Sequence, residues 1–106
     1  MLFSKEFITR LSEAYGVNTT KYQNSKGEWC IGVEHLLTDD DLKNGYVSLG
    51  SNLSKEFNIE TGLSRGQVFK LFGMDCAMIR SKYSGTFHSV HDMERYVENR
   101  FPLRNS

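Results

Sequence analysis

The chain has 106 residues, its 13 Lys+Arg balance 13 Asp+Glu to a formal net charge of zero, and 39% of it is hydrophobic. That balance suits one compact soluble domain with its own core and excludes a strongly basic nucleic-acid binder. No apolar run is long enough for a transmembrane helix, and Met1-Leu2-Phe3-Ser4-Lys5-Glu6 lacks the charged start and apolar middle of a signal peptide, so a cytoplasmic protein is expected.

Ser4 reads as the N-cap of a first helix, with Phe3 and Ile8 spaced as a hydrophobic staple. Phe7, Leu11 and Tyr15 follow at i, i+4, i+8 as one apolar stripe, and Gly16 ends the helix in a left-handed conformation. A β-hairpin comes next. Asn24-Ser25-Lys26-Gly27 is its turn, because Asn tolerates positive φ and Gly supplies it. In the returning arm Trp29, Ile31 and Val33 point to one face, and Glu28, Cys30, Gly32 and Glu34 to the other. Thr38 caps an acidic turn, Asp39-Asp40-Asp41, whose charges suit a helix N-terminus and are expected in solvent. Asn44-Gly45 turns the chain, Tyr46 to Leu49 reads as a strand, and Ser51 starts a short helix carrying Leu53 and Phe57.

Ser64 and Gln67 form a capping box for a helix over residues 65–82, with Val68, Leu71, Phe72, Cys76 and Ile79 at helical spacing. Ser89 and Asp92 start a last helix, whose stripe is Val90, Met93, Tyr96, Val97 and Phe101, and Pro102 stops it before a loose tail. There is no internal repeat, linker or low-complexity segment.

Tyr22, Gly27, Trp29, Ile31-Gly32 and His35-Leu36-Leu37-Thr38 together resemble the hairpin of the phage-type lysozymes, the muramidases of tailed phages. A weaker resemblance runs through Leu71-Phe72 and Asp75 to about Phe101. It implies an α+β fold: a lysozyme-like N-terminal lobe, a small antiparallel hairpin sheet with three to four helices, here as a single domain over 1–106 without the family's C-terminal helical lobe. In that family the first helix packs mainly on the C-terminal lobe, so its stripe here must find another surface.

The departures from the family pattern concern chemistry. The catalytic Glu of the family falls on Tyr15, its Asp on Asn24, its Thr on Cys30, and one Gly of its Gly-Ile-Gly run is Glu34. A glycosidase normally needs two placed carboxyl groups. Asn24 does not ionise, Tyr15 is a poor acid at neutral pH, and Glu13 lies about 200° round the helix from Tyr15. No catalytic residue is therefore assigned. Cys30 and His35 fall on opposite faces of a strand, which argues against a dyad. Cys30 reads as a small half-buried residue, Cys30 and Cys76 as free thiols, and His88 and His91 as exposed. No Cys/His spacing implies a metal, and no cofactor is expected. The resemblance pairs His35 with Asp75 as a structural ion pair between hairpin and long helix. Trp29, the only tryptophan, reads as core.

These readings point to a non-catalytic lysozyme-like phage protein that binds and inhibits an unidentified host protein, with a defence system such as CRISPR or restriction as one target class. The expected interface is Phe7, Leu11, Tyr15, Tyr96, Val97 and Phe101, uncovered by the missing lobe; a homodimer is compatible with it, and the polar loop from Asp39 to Gly50 is next in order. Two alternatives stand beside this reading. One is a peptidoglycan-fragment-binding or weakly active muramidase module using Trp29, Tyr15 and Asn24; the other is a subunit of a phage assembly.

Overall fold

The computed structural model describes residues 3–48, 56–83 and 85–101. Among them the order is α1 (Lys5–Tyr15), β1 (Asn18–Gln23), β2 (Trp29–Gly32), β3 (His35–Leu36), α2 (Asp39–Asn44), α3 (Arg65–Tyr83) and α4 (Val90–Arg100). The architecture is α+β, as expected. The hairpin gains a short third strand, giving an antiparallel sheet of order β1-β2-β3.

Local signals in the sequence account for most helix ends. The Ser4 hydroxyl accepts from Phe7 N at the start of α1, and Ser89 does the same for Asp92 N at the start of α4. Ser64 and Gln67 form the expected reciprocal box, with Gln67 N donating to Ser64 Oγ at 3.1 Å and Ser64 N to Gln67 Oε1 at 2.9 Å. Gly16 ends α1 at φ 82° and ψ 160°, a positive φ but not the left-handed helical conformation expected.

Among the described residues one cluster of side chains forms the core, drawn from α1, the sheet, Val47, Phe57, Ile59, Leu63, α3 and α4. Phe7, Leu11, Ile31, Val33, Val47, Phe57, Val68, Leu71, Phe72 and Val97 are all buried in it. Gly32 lets the sheet come this close to α3. Its φ is 69°, and a Cβ there would meet Val68 Cγ1 at 3.4 Å.

The stripes expected to form a partner surface are largely buried. Phe7, Leu11, Val97 and Phe101 are buried, while Tyr15 and Tyr96 are half-buried. α1 lies against α4, and both helices contribute side chains to the core they share with α3 and the sheet. Burying two amphipathic faces on one another removes the cost of about 25 cal/mol per Å² that either would carry in water. Polar ties lock the pair. The buried Glu94 carboxylate accepts from Ser4 N at 2.6 Å, and Arg10 forks onto Glu98 at 2.9 and 3.2 Å on the outside. Tyr96 packs with Tyr83 and Phe87, under the Arg100 guanidinium 4.2 Å from its ring.

The expected strand at 46–49 is reduced to one bridge, Tyr46 to Asn58, and Leu49 lies outside the described residues. So do the expected helix start at Ser51 with Leu53, the Pro102 stop and the tail. Among the described residues no helix is long and apolar enough to cross a membrane.

Candidate functional site

Asn24 builds the hairpin turn. Its Oδ1 accepts from Lys26 N at 2.9 Å and from Glu28 N at 3.0 Å, while its Nδ2 donates to Glu28 Oε1 at 3.1 Å. Its own backbone C=O accepts from Gly27 N at 2.9 Å, and Gly27 takes φ 77°. Both polar ends of the side chain thus serve the turn, an arrangement typical of Asn.

At the end of α1 the Tyr15 hydroxyl donates to the backbone carbonyl of Phe101 at 2.6 Å. Its ring lies 5.2 Å from that of Phe101, which in turn meets Phe72 edge-on at 6.0 Å. Tyr15 is therefore a joint between α1 and the end of α4.

Cys30 is 0% exposed, more deeply buried than the half-buried position expected. It sits in the middle strand of the sheet, with Tyr22 opposite on β1 and Leu36 opposite on β3. Its thiol contacts the Glu28 carbonyl at 3.6 Å. The buried Tyr22 hydroxyl has no hydrogen-bond partner of good geometry. Burial pushes the Tyr22 phenol up to about 12, with Cys30 and Glu34 adding to the shift. Glu34 holds φ 48° where a glycine would sit without strain. Tyr15, Asn24 and Cys30 thus present a hydrogen-bonded phenol, an amide engaged in the hairpin turn and a buried thiol.

His35 is paired across the strands with Ile31, not with Cys30, and its Nδ1 lies 2.8 Å from Asp75 Oδ2. That contact links β3 to α3. Cys76, next to Asp75, is buried, and burial followed by the Asp75 charge pushes its thiol up to about 12, far from a reactive thiolate. Among the described residues no His/Cys/Asp/Glu grouping could hold a metal ion.

Trp29 corrects the sequence expectation. It is 37% exposed and not core, while the rest of β2 is buried. Trp29 lines an open groove of about 390 Å³ with Leu36, Leu37 and Leu42, and Glu28 and Asp39 stand in the same lining. Lys21 places its Nζ 5.1 Å from the Trp29 ring centroid.

The α2 wall of this groove is held by Asp41, the one member of the acidic run that is not solvated, at 2% exposed. Its carboxylate accepts from Thr38 N at 3.0 Å and from Ser48 N at 2.9 Å, and Thr38 Oγ1 accepts from Asp41 N at 3.1 Å. Asp39 and Asp40 are exposed, as expected. The groove was not identifiable from sequence. An aromatic on an alternating apolar face reads as core, and periodicity does not say what covers that face.

No protein family's sequence profile matches the chain, and no curated protein does. Among solved structures, a protein from S. enterica described as a phage endolysin has a similar fold, with a TM-score of 0.66 at 18% identity over 98% of this chain and 96% of that one. At that identity the likeness is one of fold: the α+β architecture is lysozyme-like.

Proposed function

We propose that this is a phage protein of lysozyme-like fold that no longer cleaves glycan and acts by binding another protein, in the infected cell a protein of the host. The observation that carries the reading is Tyr15. At the position matching the catalytic acid, its hydroxyl is tied to Phe101 O at 2.6 Å inside an aromatic stack. A group so held neither reaches a glycosidic oxygen nor donates a proton readily at neutral pH. Asn24 and Cys30 support it, because an amide engaged in a turn and a buried thiol replace neither the second carboxylate nor the hydroxyl.

What remains for function is surface. With most of the α1 and α4 stripes buried, a surface among the described residues that combines an exposed aromatic with a groove lies between the hairpin end and α2. It borders the polar loop that begins at Asp39. A host-defence component is the target class this reading favours.

The test is turbidity loss of permeabilised bacteria and release of reducing ends from purified peptidoglycan, with an active phage lysozyme as control. Neither signal is expected above a buffer blank. Turnover that disappears in Glu34→Gln or Glu28→Gln would overturn the proposal.

A further inference from the structure

The groove beside Trp29 has a definite chemistry. Its lining is mixed: the indole, Leu36, Leu37 and Leu42 supply the apolar part, and its charged groups are both carboxylates, Glu28 and Asp39. Asp40 is exposed beside them. The groove is open and holds about 390 Å³, room for one long side chain from another molecule. Its α2 wall is preset by the Thr38–Asp41 capping box and by the Asp41–Ser48 bond, so binding there requires little reordering. The indole face already attracts a cation, since Lys21 of the same chain reaches over it.

We propose that this groove receives an arginine side chain presented by the partner protein, an inference that rests on the protein-binding reading above. The leucines cover the methylene stem. The planar guanidinium stacks on the indole and presents its fork of donors to Glu28 and Asp39. A lysine fits the same stem but stacks less well, and an acidic or anionic group is repelled by the lining. Lys21, with its Nζ 5.1 Å from the same ring, adds a positive charge that opposes the incoming one.

Trp29 is the only tryptophan, so its fluorescence reports on the groove alone. The probes are acetyl-Gly-Arg-Gly-amide, the same peptide with Lys, Leu or Glu in place of Arg, and chitotriose as a sugar. At low ionic strength the Arg peptide is expected to give a saturable change, the Lys peptide a weaker one, and the Leu, Glu and sugar probes none. Glu28→Gln and Asp39→Asn should each weaken binding about two- to fivefold, and Lys21→Ala should tighten it by a similar factor. Each variant is first checked for an unchanged urea midpoint.

A flat Arg titration, an equal response to the Leu or Glu peptide, a stronger response to chitotriose, or weaker binding by Lys21→Ala would overturn the assignment. The peptidoglycan assay separates the two readings. Glycan turnover removes the non-catalytic reading whatever the peptides do, whereas a flat titration with no turnover removes only the arginine site.

Discussion

Replacing Asp41 tests how the wall of the Trp29 groove is held. The carboxylate is 2% exposed and accepts from Thr38 N and Ser48 N at 3.0 and 2.9 Å. Asp41→Ala removes both acceptors, and a hydrogen bond to a charged group contributes about 1.5–3 kcal/mol. Thr38 and Ser48 are themselves exposed, so water recovers part of each bond. A loss of about 2–4 kcal/mol remains once the acidic charge in the first turn of α2 is included. Asp41→Asn keeps one acceptor oxygen in place and should lose about half as much. Thr38→Ala, which removes only the cap, should cost about 1 kcal/mol. Asp39→Ala, at an exposed site two residues earlier, should stay within about 0.5 kcal/mol. Urea unfolding at pH 7, followed by far-UV circular dichroism and by Trp29 fluorescence, gives all four values. If Asp41→Ala costs no more than Asp39→Ala, the buried carboxylate does not hold α2, and the groove is not preset as described.

Tyr22→Phe removes a buried hydroxyl with no good partner, so stability at pH 7 should be unchanged or rise by about 1 kcal/mol. The folded Tyr22 phenol is raised to about 12 from an ordinary 10.0, so its contribution is fully present below pH 10 and is lost as pH rises through 12; the Phe variant should lack that alkaline loss, and an identical loss in both proteins would contradict the burial. Phe7→Ala should cost about 3–5 kcal/mol, because the ring is 0% exposed between α1, α4 and the core. A loss below about 1 kcal/mol, read from denaturant midpoints, would mean that the α1 stripe is not packed and would reopen it as a partner surface.

Much of the fold was readable from residues that act over short range. Ser4, Thr38, Ser64 and Ser89 mark helix starts because a cap bonds within three residues, and Asn24 with Gly27 marks the turn for the same reason. The stripes on α1 and α4 and the buried face of α3 were visible as periodicity, and the chemical types at Tyr15, Asn24 and Cys30 are matters of identity alone. Which surface covers each stripe was not visible, because periodicity says that a face is apolar and not what meets it. Tertiary packing decided that Phe7, Leu11, Val97 and Phe101 are buried in one shared core, while Trp29, on an equally apolar face, stays open. It likewise decided that Asp41, alone in its acidic run, is drawn inside by Ser48 seven residues away. Burial is set by distances between elements far apart in the chain, and those distances exist only once the helices have closed on the sheet.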